Sequence, residues 1–391
     1  CETKLDKINK INELKLDYFI DDLKDILKHP YIDKKMIKIN FQGSGSKKII
    51  AIDNWNLINN FIYGREKKED FFNYVRYANP NVSKIIKLKN GSNSCGFKMI
   101  INKRVYFLKY YNILSNLDYK RQETEIMGYN YYKKNRIDHI LKVYQVNFQQ
   151  NYSIFSYQNF STIKRITTSQ VLDALQIMKS IINISKNHTF KSLPYASDST
   201  AKIQNVNRDI KRKIDLIKKR NVDKQVNLLI SKIENKFNHF IKNLRSKEIR
   251  EISKILNKKH LIASPSDFGF HNIMYDKNGK IYFFDFEYFG IDDPCKLVVD
   301  FFYNPHTPLN INQKDIWLSE SIKLFSEFPN FKLRVNLLLV ILGFKWILIF
   351  IGLIFKLNKV EDQLFCKKQI FKSLKMLKFI EFLEKKGSYV I

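Results

Sequence analysis

The stretch SPSDFGFHNIMYDKNGKIYFFDFEYFGIDDP, residues 264–294, decides how this sequence is interpreted. Asn278-Gly279 lies between two apolar runs and is the strongest short signal for a β-hairpin, because a two-residue turn of the primed type needs positive φ at both central positions. Such a turn sets a register in which Asn272 lies opposite Asp285. Directly opposed side chains share one face of a hairpin, with Cβ atoms about 5 Å apart.

The predicted hairpin places an amide oxygen and a carboxylate side by side at its open end. Both are hard oxygen ligands of the kind that Mg²⁺ prefers. Asp267 lies just upstream, in a loop where Pro265 and Gly269 argue against regular structure. Phosphoryl transfer needs such a carboxylate, because a base must orient or deprotonate a hydroxyl while a metal neutralises the phosphates. Asp and Asn also cap ordinary turns, so the pattern gains its weight from the hairpin that follows it.

This run resembles the catalytic segment of the aminoglycoside phosphotransferase and choline kinase superfamily, which shares the protein-kinase fold. The resemblance implies that Asp267 is the catalytic base, that Asn272 and Asp285 are Mg²⁺ ligands, and that the cofactors are ATP and Mg²⁺. It also implies that Asp293 and Asp300 brace the catalytic loop.

One position departs from the family pattern. The family usually has a histidine two residues before the base, where it orients the loop, and this chain has Pro265 at that position. His271 is a candidate substitute. The departure keeps open an alternative, a kinase-fold pseudoenzyme that binds nucleotide or a partner without transferring phosphate.

The nucleotide-binding half is expected upstream. Gly91 and Gly96 bound the run GSNSCG between two predicted strands, where small residues let backbone N–H groups approach phosphates. The next strand, RVYFLKYY, contains Lys109 among apolar residues, and a buried lysine is costly unless it is paired. The kinase resemblance implies that it pairs with a helix glutamate and holds the α- and β-phosphates. We expect Glu125 as the partner, because aromatic residues follow it at helical spacing, and Glu123 is the alternative.

The pattern along the chain predicts an α+β protein with the bilobal protein-kinase-like fold. We expect a small antiparallel-sheet N-lobe, a large and mostly helical C-lobe, and an additional N-terminal α/β segment. The predicted regions are an accessory segment at 1–80, a nucleotide-binding N-lobe at 81–160 and a helical C-lobe at 161–391, with catalytic and metal loops at 264–302. Within the first region, residues 5–28 show helical apolar spacing in two pieces.

The N-terminal run LDYFIDDLKDIL resembles the late acidic motif of haloacid-dehalogenase-type phosphatases, with Asp21 and Asp22 as its carboxylates. That family also needs an Asp-x-Asp nucleophile motif upstream, which this chain lacks. We therefore expect an accessory remnant, or acids that cap a helix, and assign no catalysis here. The chain begins with Cys1 and not with Met, which is consistent with a fragment of a longer product.

The chain carries 68 basic and 38 acidic residues, a net charge of +30. Such a charge usually indicates a polyanionic partner. Here it is spread along a sequence that is rich in lysine, isoleucine and asparagine throughout, so we expect no specific nucleic-acid partner. Four scattered cysteines without a CxxC pair argue against a disulfide framework and structural zinc, and they fit a cytoplasmic protein.

Residues 335–355 form an apolar run that is long enough to span a bilayer. Lys345 lies at its centre, where a charge costs about 2.5–3.5 kcal/mol on insertion scales. We therefore expect this run to be buried in the C-lobe, as one helix or as two short helices that break near Gly343 or Gly352. The expected partner is a hydroxyl-bearing small molecule.

Overall fold

The structure, a computed structural model, separates the chain into two compact units. Unit 1 comprises residues 1–130 and 141–159, and unit 2 comprises residues 131–140 and 160–391. The three-part division expected from the sequence stays a prediction. The structure describes residues 3–33, 36–41, 49–52, 55, 58, 62, 72, 75–88, 94–111, 119–148, 150–161, 163, 165–186, 193–220, 224–306, 308–356 and 363–386.

Unit 1 begins with a small α/β segment. Its described elements are α1 (Lys4–Glu13), β1 (Tyr18–Asp21), α2 (Lys24–Leu27), β2 (Ile37–Phe41) and β3 (Ile49–Ile52). The three strands form a parallel sheet in the order β1-β2-β3.

The two-piece helical prediction for residues 5–28 was wrong over β1. Lys15 has a φ of +49°, a left-handed conformation just beyond the end of α1. The aromatic and β-branched run that follows suits a pleated sheet and pairs with β2. Asp21 ends this strand, where its carboxylate accepts hydrogen bonds from the Lys7 ammonium at 2.6 Å and from the Leu23 backbone N–H at 2.8 Å. These contacts give Asp21 a structural role.

The rest of unit 1 is built on a five-stranded antiparallel sheet in the order β4-β5-β6-β8-β7. Alternate side chains of the central strands face one core, which contains Phe97, Met99, Leu108, Tyr152 and Ile154. The bounds are β4 (Val82–Lys87), β5 (Ser94–Ile101), β6 (Arg104–Tyr111), α3 (Tyr119–Lys134), β7 (Val143–Asn147) and β8 (Tyr152–Ser156), and residues 131–134 at the end of α3 belong to unit 2. Within the described residues, this sheet with its helix confirms the sequence prediction of a small antiparallel-sheet region.

Unit 2 is mostly helical. Its helices are α4 (Thr168–Lys186), α5 (Ile203–Lys218), α6 (Lys224–Lys242), α7 (Ser246–Ser253), α8 (Pro294–Tyr303), α9 (Ile311–Leu324), α10 (Phe331–Lys356) and α11 (Gln363–Lys386). Short strands interrupt them: β9 (Phe160–Ser161), β10 (Ile262–Ser264), β11 (Ile273–Asp276), β12 (Ile281–Phe283) and β13 (Gly290–Asp292). β10 pairs with β13, and β11 lies between β9 and β12, so the segment that carries Asp267 connects two small antiparallel sheets.

The apolar run at residues 335–355 lies in α10, which is one continuous helix, so the predicted breaks near Gly343 and Gly352 do not occur. A Cβ at Gly343 would lie 2.9 Å from Ile380 Cδ1, so this glycine permits close packing of α10 against α11. Among the described residues, α10 is the one helix that is long and apolar enough to cross a membrane, and 72% of its apolar window is buried inside the protein. That burial agrees with a core helix.

Candidate active site

In unit 1, Lys109 and Glu125 form a buried ion pair. The Lys109 Nζ atom of β6 lies 2.7 Å from Glu125 Oε2 of α3, and the two side chains are only 6% and 2% exposed. The lysine also lies over the ring of Tyr111, 5.2 Å from its centroid. The alternative partner, Glu123, is exposed. Because an ammonium group is costly to bury alone, this pairing explains how the sheet holds a lysine inside.

Gln122, one turn before Glu125, fixes the helix against the sheet. Its buried side-chain amide donates to the Tyr152 carbonyl oxygen at 2.8 Å and lies 3.0 Å from Ser153 Oγ, both on β8. These bonds set the rotation of α3, so that Glu125 points at Lys109. Sequence reasoning missed Gln122, although a lone amide on the face that carries the glutamate was a usable signal.

The structure describes only one of the two glycines of the predicted phosphate loop. Gly91 lies outside the described residues. Gly96 is not in a turn but inside β5, directly opposite Lys109 in the strand pairing. A Cβ at Gly96 would lie 2.9 Å from the Phe107 ring, which accounts for a glycine at this strand position.

In unit 2, Asp267, the predicted catalytic base, directly follows a tight turn. The Asp267 backbone N–H donates to the Pro265 carbonyl oxygen at 2.9 Å, and Ser266 between them has a φ of +66°. Such a conformation is uncommon outside glycine and persists only where surrounding contacts hold it. The Asp267 side chain is 43% exposed, so its carboxylate can reach a ligand.

His271 holds this carboxylate. Its Nε2 atom lies 3.1 Å from Asp267 Oδ1, and its Nδ1 atom lies 2.8 Å from the amide nitrogen of Asn304. The Asn304 amide is oriented in turn, because its oxygen accepts from the His306 backbone N–H at 3.0 Å. An amide N–H aimed at Nδ1 makes that atom the acceptor, so this network assigns the proton to Nε2, which donates to Asp267.

The charge state of Asp267 follows from these neighbours. Burial alone would raise the pKa of its carboxyl, but the hydrogen bond from His271 and the positive charge of Lys296 lower that pKa below the ordinary value. The carboxylate is therefore ionised at neutral pH. It is a hydrogen-bond acceptor with an orientation set by His271.

Lys296, in α8, holds the backbone of the same loop. Its fully buried ammonium lies 2.9 Å from Ser266 Oγ and 3.3 Å from the Ser266 carbonyl oxygen. Its counter-charges are Asp300 at 3.0 Å and Asp292 at 3.5 Å. Burial alone would lower the pKa of Lys296, whereas Asp300, Asp292 and Asp198 raise it, so the group stays charged.

The two aspartates expected to brace the loop act through different contacts. Asp300 reaches the loop through Lys296 and also accepts from the Trp346 indole N–H at 3.2 Å. Asp293 caps the N-terminus of α8, where it accepts from the Cys295 N–H at 2.9 Å, and it forms a buried ion pair with Arg334 of α10. It therefore fixes the helix that carries Lys296.

The hairpin register predicted from Asn278-Gly279 was wrong by one residue. Tyr275 pairs with Ile281, and the Asp276 N–H donates to the Lys280 carbonyl oxygen at 2.9 Å, which leaves a three-residue loop. The Asp276 carboxylate selects this loop, since it accepts from the backbone N–H groups of Asn278 and Lys280, both at 2.9 Å. A type I turn with Asp first and a left-handed Gly279 last, at a φ of +76°, satisfies these bonds.

The one-residue shift in register means that the two predicted metal ligands, Asn272 and Asp285, do not lie opposite each other in the hairpin. The Asn272 carbonyl oxygen accepts from the Phe284 N–H at 3.1 Å, so the residue opposite Asn272 is Phe284 and not Asp285. β12 ends at Phe283, and Asp285 has a φ of +69°, which breaks the alternation of side chains. The Asn272 amide donates to the Asp267 carbonyl oxygen at 3.0 Å, so these two residues are in contact. The pairing of Asn272 with Asp285 around one ion therefore rests on the family resemblance.

Asp285 and Glu287, which follow β12, bring two carboxylates together that could bind a metal ion. Carboxylate oxygens of Asp285 and Glu287 lie within 4.8 Å of each other. Phe286 and Phe289, on either side of Glu287, are buried and pack edge-to-face on the ring of Tyr132. Two carboxylates at this spacing suit a hard divalent cation such as Mg²⁺. Glu287 was not among the predicted ligands, although Asp-x-Glu after an apolar strand was a visible signal.

Lys296 was also missed. It stands alone in the apolar run PCKLVVDFF, four residues after one aspartate and four before another. Asp300 lies one turn further along α8, and Asp292 lies at the end of β13 just before that helix, so both acids can reach the buried ammonium.

The fold of this chain is similar to that of several solved structures, although its sequence is distant from them. No protein-family model and no curated protein sequence matches the chain. The gentamicin complex of APH(2")-IIa matches with a TM-score of 0.54 and 15% identity over 79% of this chain and 96% of that chain. Choline kinase from Cryptosporidium parvum Iowa II matches with a TM-score of 0.51 and 13% identity over 81% of this chain and 97% of that chain. The chain has the protein-kinase-like fold of these enzymes.

A thermostable mutant of the aminoglycoside phosphotransferase APH(4)-Ia, in a ternary complex with ADP and hygromycin B, has the same fold. It matches with a TM-score of 0.50 and 13% identity over 78% of this chain and 97% of that chain. The match extends over nearly the full length of each of these enzymes and leaves about a fifth of this chain outside it. At these identities the similarity shows the fold, and residue roles depend on local geometry.

Proposed function

We propose that the chain is an ATP- and Mg²⁺-dependent phosphotransferase that phosphorylates a hydroxyl group of a small molecule. The observation that carries the proposal is the state of Asp267: ionised, partly exposed, and held by His271 in a loop that Lys296 pins. A strained backbone and three supporting side chains fit a preorganised catalytic group better than an incidental loop acid.

Asp267 would accept the hydrogen bond of the substrate hydroxyl and orient its oxygen toward the transferred phosphoryl group. A carboxylate of lowered pKa is a weak base. That suits this reaction, because the transition state is largely dissociative and needs little deprotonation of the nucleophile before transfer. Positioning then supplies most of the rate enhancement.

Lys109 would contact the α- and β-phosphates, with Glu125 holding the ammonium in place. Asn272, Asp285 and Glu287 offer amide and carboxylate oxygens, which fit Mg²⁺. When bound there, the ion would neutralise charge on the phosphates. ADP in a solved structure of the same fold supports nucleotide as the co-substrate.

Phosphate transfer can be tested directly. The protein is incubated with ATP and Mg²⁺ and a panel of hydroxyl-bearing metabolites, and ³¹P NMR is used to detect a new phosphate ester. We expect one class of acceptor to be phosphorylated, and Asp267→Asn to lower the rate by about 10²- to 10⁴-fold while the fold is retained. Equal turnover by Asp267→Asn would refute the assignment of the base.

The alternative is a pseudoenzyme of the same fold, and Pro265 in place of the usual histidine favours it. A pseudoenzyme would bind ATP or ADP in calorimetry yet form no phosphate ester with any acceptor. Titrations with and without Mg²⁺, combined with the NMR assay, separate the two functions.

A further inference from the structure

A second charged site lies in unit 2, and its lining contains no residue of the segment 264–287. It is a cavity of about 250 Å³ between the residues that precede α5, the first turns of α5, and α10. That volume is close to the lower end of small-molecule sites, about 300 Å³. Its lining is unusually charged for its size and contains Asp198, Lys202, Asp209, Lys213 and Lys345.

The charges in this cavity do not balance. Lys345 pairs with Asp198 at 3.0 Å, and Asp209 pairs with Arg212 at 3.1 Å. Both acids are thereby engaged. Among the described residues, no carboxylate oxygen lies within 4.0 Å of the Lys213 ammonium. Lys213 is thus a surplus cation in the cavity.

Lys213 is also poorly solvated. Burial lowers its pKa, and the neighbouring charge of Lys345 lowers it further, against smaller opposing effects of Asp198 and Asp209. The Lys345 side chain is only 12% exposed. Asp198 already balances the charge of Lys345, so the partly desolvated Lys213 is the cation that an anion bound in the cavity would stabilise.

The wall of the cavity is hydrogen-bonded to the framework of the catalytic loop. The Ser199 hydroxyl and the Thr200 backbone N–H both donate to Asp292, at 2.9 and 2.8 Å. Asp292 is a counter-charge of Lys296, which binds Ser266. A ligand that orders this wall would therefore act on groups that hold the loop.

We propose that this cavity binds an anionic group of a small molecule, a phosphate or a carboxylate, with Lys213 and Lys345 as its charged contacts. The proposal does not depend on phosphotransfer. It disfavours polycationic ligands at this site, because three lysines face the cavity against two engaged acids.

The test uses inorganic phosphate as the probe and thermal unfolding as the readout. Phosphate is compared with chloride at equal ionic strength, because a net charge of +30 attracts anions everywhere. Binding to the folded state raises the unfolding midpoint as the phosphate concentration increases. We expect the wild type to show this rise, and Lys213→Met to bind phosphate about 10- to 100-fold more weakly.

Two matched variants complete the test. Lys211→Met removes an exposed lysine from the same helix and should keep the full response to phosphate. Lys213→Arg restores the charge and should recover it. An equal response in Lys213→Met and the wild type overturns the proposal. If Lys213→Met unfolds, ¹³C NMR of dimethylated lysines takes its place, and a Lys213 signal that phosphate does not shift has the same meaning.

The anion could belong to the acceptor substrate or to a separate ligand, and kinetics distinguish these sources. If the acceptor occupies the cavity, Lys213→Met raises the KM for an anionic acceptor and leaves kcat unchanged. If the anion is separate, that KM does not change while phosphate binding is lost. Failure of the wild type to transfer phosphate would count against the proposed function, and the phosphate-binding result would stand apart from it.

Discussion

The ammonium group of Lys296 lies 2.9 Å from the hydroxyl oxygen of Ser266, the residue directly before the proposed catalytic base. Ser266 has a φ of +66°, so its backbone is held in a conformation that serine rarely adopts. The buried lysine binds both the hydroxyl and the carbonyl oxygen of this residue. A cation from α8 therefore restrains the backbone directly before Asp267.

We expect Ser266→Ala to lower kcat by about tenfold, because the turn before Asp267 loses a hydrogen bond to a charged group that is worth about 1.5–3 kcal/mol. The Lys296 ammonium keeps Asp300 at 3.0 Å, so the fold should survive. Steady-state kinetics and urea unfolding of the same samples measure both effects. Ser319→Ala, at an exposed helical serine, is the control and should change neither quantity.

An unchanged kcat in Ser266→Ala, with lower stability, would show that the contact is only structural. Lys296→Met makes a second comparison. It leaves Asp292 and Asp300 without their shared cation, and breaking such a buried pair costs about 3–5 kcal/mol. We therefore expect this variant to be far less stable than Ser266→Ala.

His271 should set the acid limb of activity. The pKa of Asp267 lies below its ordinary value of 3.8, with the hydrogen bond from His271 as a principal cause of the lowering. In His271→Phe burial remains while the hydrogen bond is lost, so the pKa of Asp267 rises and the acid limb of kcat/KM moves to higher pH. A pH profile of kcat/KM from about pH 3 to 8 measures the shift.

The same shift has a consequence for stability. A carboxyl group whose pKa is lowered by folding stabilises the protein above its unfolded pKa, about 3.9, and this contribution is lost as the pH falls through the folded value. The stability difference between the wild type and His271→Phe should therefore shrink below about pH 4. His306→Phe is the control, because the charge of His306 lowers the pKa of Asp267 less than His271 does. An equal shift in that variant would contradict the role of His271.

Removal of Lys109 should separate stability from nucleotide binding. Lys109→Met leaves Glu125 as a buried charge without its ion-pair partner, which costs about 3–5 kcal/mol of folding free energy. The double variant Lys109→Met/Glu125→Leu replaces the pair with apolar groups and should regain most of that stability. Urea unfolding and ADP calorimetry are measured on both.

We expect neither variant to bind ADP with wild-type affinity, because the phosphate contact is absent from both. ADP binding by the stable double variant at wild-type affinity would mean that Lys109 serves the fold and not the nucleotide.

Much of the secondary structure was predictable, because it follows from sequence patterns within short segments. The strands β4 to β8 and the helix α3 follow from alternating apolar runs and turn residues. The choice of Glu125 over Glu123 follows from helical spacing. The contacts of the candidate active site were harder to predict from the sequence. The Lys296 contacts join α8 to the loop before Asp267, and no local pattern specifies which loop a buried lysine will reach.

The error in the hairpin has a local cause. Asn278-Gly279 predicts a two-residue turn, but the Asp276 carboxylate accepts from backbone N–H groups of the turn, and the loop is one residue longer. A one-residue change of register alters which side chains oppose each other, so the prediction that Asn272 lies opposite Asp285 failed although the hairpin itself exists. The sequence carries the signal for the longer loop, because an aspartate two residues before Asn278 can cap the turn with its side chain.

The three-residue loop leads to the last prediction, which compares two glycines with open space around them. Gly279 has a φ of +76°, and no atom lies within 4 Å of the position that a Cβ would take there. Gly279→Ala therefore meets no clash and costs only the strain of the left-handed backbone, about 1–2 kcal/mol. Gly352 also has no neighbour within 4 Å of such a Cβ, but it lies in α10. Gly352→Ala should therefore stabilise the protein by up to about 1 kcal/mol, through helix propensity. Urea unfolding measures the change in the free energy of unfolding for both variants. A two-residue turn requires positive φ at both Asn278 and Gly279. If Asn278→Ala destabilises the protein as much as Gly279→Ala does, the protein has that turn in solution.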